Sequence, residues 1–371
     1  MKKRTWAEID LSVFKNNIKA VRKITGDGVH ILLPVKADAY GHGILEIARL
    51  VESDNLARML GVASIDEGIL LRQAGITIPI LILSLFLPDE DMSEYALKYD
   101  LRATVADLRS AESLSKAASR LKKTAIVHIK IDTGMGRIGC FPGEAAEIAK
   151  KTVELPGLKL EGAYSHLPSA DEPDQRKFTE NQINLFKNTL ENIERSGIKI
   201  PLKHIANSAG TTNFPESHMD MVRPGIFSYG FAPHSADSHR ILPVPPMSFK
   251  SMIIFIKRVE KNTPLSYGLT YSTPSACNIA TIAAGYGDGY SRLLSNKGKI
   301  LIEGKLYPVA GRVSMDQTLV NLGDDIYPVG TEATLFGHEK FTAEDLADII
   351  GTIPYEIICA VSKRVPRIYL N

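Results

Sequence analysis

The 371-residue sequence is short of cysteine, of net charge and of long apolar runs, and each shortage closes off a class of function. Its three cysteines, Cys140, Cys277 and Cys359, are odd in number, far apart and outside any C-x-x-C spacing. Neither a disulfide framework nor a metal site is suggested, and a reducing cytoplasm is the expected compartment. The 44 Lys and Arg residues nearly cancel the 42 Asp and Glu, leaving +2. Electrostatics therefore give no reason to expect DNA, RNA or anionic lipid as a partner, and a small molecule fits better. No stretch approaches the roughly 18 apolar residues that a membrane span needs. The opening MKKRTWAEID turns acidic where a signal peptide would be apolar, so no export by that route is expected. There is no repeat of fixed period and no low-complexity segment.

What the chain has instead is alternation. Short apolar, β-branched runs near 31–35, 60–63, 80–83, 101–105, 125–131, 158–164, 201–206 and 219–222 are separated by helix-like stretches such as 43–52 and 174–196. Strand–helix alternation argues parallel strands with crossover helices, and eight such units close into a (β/α)8 barrel of the TIM type. From about residue 241 the proline-rich ILPVPPM leads into strands punctuated by Gly, Asn and Asp turns, with one late helix over 343–350 behind Thr342 as N-cap. The expected organisation is a barrel over 11–240 and a mainly β domain over 241–371 that also takes in residues 1–10, within the size range where a second core becomes necessary.

A barrel gathers its reactive groups at the C-terminal ends of its strands. Those ends carry Lys36, then Lys130 with Asp132, then His166, then His204 with Asn207 and Ser208, and finally Arg223 with Gly225. On the fifth strand, period-2 alternation puts Ala125, Val127, Ile129 and Ile131 on one face and His128, Lys130 and Asp132 on the other, toward the lumen. A lone interior histidine such as His128 usually has a packing role. For Lys130 a structural and a chemical role stay open. Lys36 directly follows ILLPV, where desolvation would lower an amine's pKa toward the range a Schiff-base lysine needs; a plain surface lysine is the alternative. NSAG at 207–210 and RPGI at 223–226 supply small residues and free N–H groups where barrel enzymes often hold a phosphate, although either loop alone could be an ordinary turn.

These residues fall into a familiar pattern. VKADAYGHG at 35–43 resembles the cofactor-lysine signature of alanine racemases. The resemblance runs through TWAEIDL, KIDTGMGRIG, HIANSAG and RPGIFSYG, and past the linker through SYGLTY, GYGDGY, GRVSMDQ and RVPR. It implies that Lys36 carries pyridoxal 5'-phosphate covalently, with Tyr40, Ser208, Gly225, Ile226 and Tyr355 on the phosphate and Asn207 close by. Arg223 would bond the pyridine nitrogen. Because arginine does not readily give up its proton, the cofactor becomes a weaker electron sink, which discourages side reactions such as transamination. Racemisation takes a proton from one face of a carbon and returns one to the other, so it needs two bases, which the resemblance assigns to Lys36 and Tyr267. It further implies a homodimer in which Tyr267 and Met315 serve the other subunit's barrel, with Met315 on the substrate carboxylate. Arg137 would clamp that carboxylate and steady the cofactor's phenolic oxygen, and a carbamate on Lys130 would orient Arg137. His166, His204 and Tyr286 would link Tyr267 to Arg223, with Asp316 nearby.

LPSAD after His166 and TIP before Tyr355 depart from the family's commoner residues, so Pro168 and Pro354 bear on an access channel that Asp171, Arg292 and Ile353 would also line. The expected activity is interconversion of L- and D-alanine, for peptidoglycan synthesis or D-alanine breakdown. A racemase for serine or a broader set of amino acids, a barrel decarboxylase, and a cofactor carrier without turnover are the rivals. The decarboxylase would want a carboxylate in place of Arg223, and the carrier would stop after the barrel.

Overall fold

The structure, a computed structural model, describes residues 3–233, 241–337 and 339–371. The barrel end expected at residue 240 lies outside these described residues. The chain divides into two compact units: Lys15–Ala39 with Ile44–Val244, and Met1–Phe14 with Tyr40–Gly43 and Pro245–Asn371.

Strand β1 (Thr5–Asp10) belongs to the second of these. The first unit holds β2 (His30–Pro34), β3 (Met59–Val62), β4 (Ile80–Ile82), β5 (Ala103–Val105), β6 (Ala125–Lys130), β7 (Leu158–Tyr164), β8 (Leu202–His204) and β9 (Met221–Val222). Their paired neighbours run β4-β3-β2-β9 and β5-β6-β7-β8, every pair parallel. The two sets join at both edges. Arg102 N donates to Ile80 O at 2.8 Å and accepts through its carbonyl from Ile82 N at 3.0 Å, tying β4 to β5. Asp220 N to Lys203 O at 3.1 Å and Arg223 N to Ala206 O at 2.9 Å tie β8 to β9. The result is a closed (β/α)8 barrel, and all eight strands fall where the apolar runs placed them.

Leu32, Met59, Leu81, Leu202 and Met221 pack in one cluster. They come from β2, β3, β4, β8 and β9, and β4 and β8 lie on opposite sides of the ring, so these side chains can meet only in the lumen. An apolar plug therefore fills part of the barrel, each member contributing about 1.5 to 3 kcal/mol by leaving water. A second cluster, including Val105, Val127, Ile129, Leu114 and Phe186, lies between the strands and the outer helices. Three of the helices begin on side-chain caps: Ser64, Asp89 and Asp107 each accept a first-turn N–H, satisfying donors that have no intrahelical partner.

In the second unit, β1 alternates buried and half-buried residues along TWAEID, as a strand with one wet face should. It pairs antiparallel with β10 (Met247–Val259) and parallel with Arg367–Leu370, so the two ends of the chain share one sheet. Strands Cys277–Ile282 and Glu332–Phe336 pair antiparallel with β10. The late helix Ala343–Ile350 starts on a capping box between Thr342 and Asp345 and stops at Gly351 in the left-handed conformation. No helix among the described residues is long and apolar enough to cross a membrane.

Candidate active site

Lys36 sits just beyond β2, and the backbone there is unusual. Ala37, Asp38, Ala39 and Tyr40 have φ of 54°, 56°, 52° and 52°, a turn of left-handed helix built from non-glycine residues. Each such residue costs roughly 1 to 2 kcal/mol, so the surroundings must hold the turn in place. Glu67 does part of this. One of its oxygens accepts from Ala37 N and the other from Ala63 N, both at 2.7 Å, which pins the end of β2 to the end of β3. Asp38 Oδ1 accepts from Ile44 N at 2.9 Å, and the buried Tyr229 hydroxyl donates to Pro34 O at 2.9 Å.

Beyond the apolar plug the lumen turns polar. Arg223, buried at the end of β9, donates through Nη1 to His204 Nδ1 at 2.8 Å. Through Nη2 it reaches Ser165 O at 2.6 Å, Ile205 O at 3.1 Å and His166 Nδ1 at 3.3 Å. Tyr164 stacks on His204 with ring centroids 4.9 Å apart and planes within 3°. The Arg223 guanidinium and the Lys130 ammonium lie 5.3 and 5.1 Å from the centre of the Tyr164 ring. Burial, reinforced by Arg223, pushes both His166 and His204 well below the ordinary histidine range, so both are neutral. The same two causes, in the same order, bring Lys130 down to about 7. Burial lowers Arg223 to about 10, still protonated at neutral pH. Arg223, Lys130, Arg137 and Lys36 all act electrostatically on His166, so four basic side chains bear on one strand end.

The loops after β8 and β9 are joined to each other. Asn207 caps the short helix Ser208–Asn213 by accepting from Gly210 N at 2.9 Å, and its Nδ2 donates to Leu167 O at 2.8 Å. Ser208 Oγ accepts from Phe227 N at 3.2 Å, linking this helix to the turn Gly225–Ser228. Gly225 N donates to Arg223 O at 2.9 Å, while the first-turn amides of Ser208, Ala209 and Ile226 have no intrahelical acceptor. Asp132 acts on the backbone instead. Its Oδ1 accepts from the amides of Gly134, Met135 and Gly136 and shapes the loop that carries Arg137.

Tyr40, Tyr267, Tyr286, Met315, Asp316 and Tyr355 belong to the second unit. Tyr40 and Tyr355 face each other with ring centroids 6.1 Å apart, and burial raises the Tyr40 phenol. Pro354 occupies the first turn of helix Pro354–Ala360, where its missing N–H costs nothing, and Ile353 before it is exposed. Tyr267 is 70 % exposed and Met315 53 % exposed, and Tyr286 is exposed as well. Tyr267 lines an open hollow of about 390 Å³ with Ser266, Ser314, Gln317 and Leu319. The loop carrying Met315 is braced by groups that sequence reasoning missed. Buried Asp288 accepts from Arg4 at 2.8 Å and Arg364 at 2.9 Å, while Arg364 also pairs with Asp316 at 2.9 Å. GYGDGY, GRVSMDQ and RVPR are thus one structure. Asp288 inside GYGDGY, an acid flanked by glycines, was the available signal.

A closed parallel barrel with a lysine at its first strand end, a buried arginine at its last and a β domain appended defines a class: a barrel enzyme with a cation-rich mouth. The alanine racemase N-terminal domain profile matches residues 9–233 and the C-terminal domain profile residues 246–369. An alanine racemase of Halothermothrix orenii is 42 % identical over 99 % of this chain and 97 % of its own. A solved alanine racemase of Clostridium difficile 630 superposes with a TM-score of 0.93 at 38 % identity, covering 100 % of this chain and 96 % of its own. One from Bacillus anthracis, solved with bound L-Ala-P, gives 0.91 at 35 % over 100 % and 96 %. The chain belongs to the alanine racemase family, a family of pyridoxal-phosphate-dependent isomerases.

Proposed function

We infer that the chain interconverts L- and D-alanine, using pyridoxal 5'-phosphate held by Lys36, in a homodimer whose subunits complete each other's sites. The observation that carries this reading is the gathering of Lys36, Lys130, Arg137 and Arg223 around His166. Four basic side chains acting on one strand end call for an anionic occupant, and a phosphorylated cofactor with a carboxylate substrate supplies that charge. The residues fit it. Lys36 offers an amine, Ser208, Gly225 and Ile226 with Asn207 a phosphate cradle at short-helix N-termini, and Tyr40 and Tyr355 two further phenols.

When bound, the cofactor withdraws electrons from the substrate's α-carbon and so makes its hydrogen acidic. The chain's own residues do the rest. Lys36 Nζ takes or returns the proton on one face, and the phenolic oxygen of Tyr267 of the partner subunit acts on the other. General acid–base catalysis contributes about 10² to 10⁴, so much of the acceleration comes from binding and electronics. Arg223 would donate to the ring nitrogen while keeping its own proton, which would moderate electron withdrawal and suppress transamination. Arg137, together with the amide of Met315 of the partner subunit, orients the substrate carboxylate. Lys130 with a carbamate would be an anion facing Arg137. Tyr286 and Asp316 support the partner-facing loops, and His166 and His204 hold Arg223. The product would feed peptidoglycan synthesis or the reverse flow would consume D-alanine.

The dimer gives the sharpest test. Lys36→Ala and Tyr267→Phe are each prepared, then mixed by co-refolding and supplied with L-alanine, with the products separated on a chiral column. Each variant alone should be nearly inactive. In a mixed dimer one site carries both defects and the other neither, so a statistical mixture should regain about a quarter of wild-type activity. A mixture that stays inactive would place both bases in a single subunit.

A further inference from the structure

The polar chain in the lumen does not stop at His204. His204 Nε2 lies 3.0 Å from His128 Nδ1, and His128 Nε2 lies 3.0 Å from Glu161 Oε2. Arg102 Nε meets the same carboxylate oxygen at 3.1 Å. Neither imidazole is exposed at all, and Arg223 is only 4 % exposed. The direction of every bond is forced. A guanidinium can only donate, so His204 Nδ1 accepts and its hydrogen sits on Nε2. That hydrogen must go to His128 Nδ1, which puts the His128 hydrogen on Nε2, pointing at the Glu161 carboxylate. Each bond therefore donates toward the acid, and both imidazoles are neutral.

We propose that Glu161 is a positioning residue for Arg223, acting through His128 and His204 as the anionic end of a one-way hydrogen-bond chain. Arg223 has no ion-pair partner among the described residues; its direct neighbours are two carbonyls and two imidazole nitrogens. A buried guanidinium without a counter-charge is costly, and the carboxylate reached through the bonded chain offsets that cost at a distance. Burial opposes the charge on Glu161, yet His128 and Arg102 together hold its carboxyl down at about 2, so the anion is present throughout the working pH range. Burial also keeps His128 below the ordinary histidine range. The fold makes room for the chain: a Cβ on Gly162, next to Glu161, would lie 2.6 Å from His128 Cε1. Tyr164, stacked on His204, fixes the plane of that ring.

The proposal rests on the reading of Arg223 as the partner of the ring nitrogen, and its first test does not need the cofactor. In ¹⁵N-histidine-labelled apoprotein, with His128 and His204 assigned through their Asn variants, both rings should be neutral Nε2–H tautomers from about pH 6 to 8. A doubly protonated or Nδ1–H ring at either position overturns the chain, and the wild-type protein itself carries that result. In the holoenzyme, Glu161→Gln keeps an acceptor but removes the charge. It should lower kcat on the order of 10-fold, leave KM for alanine within about two-fold, and shift the visible band of the bound cofactor. Glu161→Asp should recover part of each change. A Glu161→Gln enzyme with wild-type melting, kcat and band would reduce the chain to packing and overturn the proposal. An unchanged band in Arg223→Lys, with the apoprotein tautomers as stated, would instead remove the reading of Arg223, so the two failures are distinct.

Discussion

Gly285 and Ser314 approach so closely that a Cβ on Gly285 would lie 2.1 Å from the Ser314 carbonyl oxygen. Tyr286 N donates to that same oxygen at 3.0 Å, and Gly287 N donates to Met315 O at 2.9 Å. The Met315 loop is thus laid directly on the GYGDGY backbone. Gly285→Ala should force the two apart at a cost of about 1 to 3 kcal/mol, measured by thermal melting. Under the proposed role of the Met315 amide on the substrate carboxylate, KM for alanine should rise by a larger factor than kcat falls. An alanine variant with wild-type melting and KM would show that the loop does not depend on this contact.

Lys130 gives a pH dependence whose sign can be worked out. Its ammonium is held at about 7 in the folded protein against the ordinary lysine value of 10.5. Between those values the unfolded chain binds a proton that the folded chain does not, so an unmodified Lys130 makes stability rise with pH from about 7 to about 10. Urea titrations in carbon-dioxide-free buffer should show that slope, and Lys130→Met should lack it. The same neutral amine can attack carbon dioxide, forming an N–C bond, releasing one proton and leaving an anionic carbamate. A carbamate signal in ¹³C NMR with labelled bicarbonate should grow from about pH 6 to 8. An unmodified ammonium at high bicarbonate would exclude that modification.

Tyr267→Phe separates catalysis from stability. Within its own subunit the side chain is 70 % exposed, so loss of the hydroxyl should change the unfolding free energy of the subunit by no more than about 0.5 kcal/mol. Turnover should nevertheless fall by about 10² to 10⁴. The kcat/KM values for the two enantiomers must remain equal, since mirror images have equal free energy in achiral water. A variant that keeps normal turnover would dismiss Tyr267 as a base.

The barrel was legible because strands such as β3 (MLGV) and β4 (ILI) are buried along their whole length and read as apolar runs, and because Lys36, His166, His204 and Arg223 follow or end such runs with groups that are costly to bury. Thr342 was legible as a cap because capping is local. Glu161 was not: on LKLEGAY it reads as one more polar residue, and its partners Arg102 and His128 come from other strands. Asp288, Arg4 and Arg364 meet only once the sequence's two ends share a sheet. Local pattern also argues against the backbone after Lys36, where alanines, an aspartate and a tyrosine would normally wind the other way.

That mirror-image turn reverses an ordinary rule of protein engineering. Exchanging alanine for glycine inside a helix usually weakens it, but Ala37 is exposed and held at φ 54°, where a methyl group is a liability and a bare α-carbon is at ease. Ala37→Gly should therefore raise the melting temperature or leave it unchanged, whereas the same exchange in a right-handed helix costs about 1 kcal/mol. By the same logic, the nine letters VKADAYGHG transplanted into a foreign barrel would not reproduce this shape, because the handedness belongs to the neighbours that enforce it and not to the segment itself.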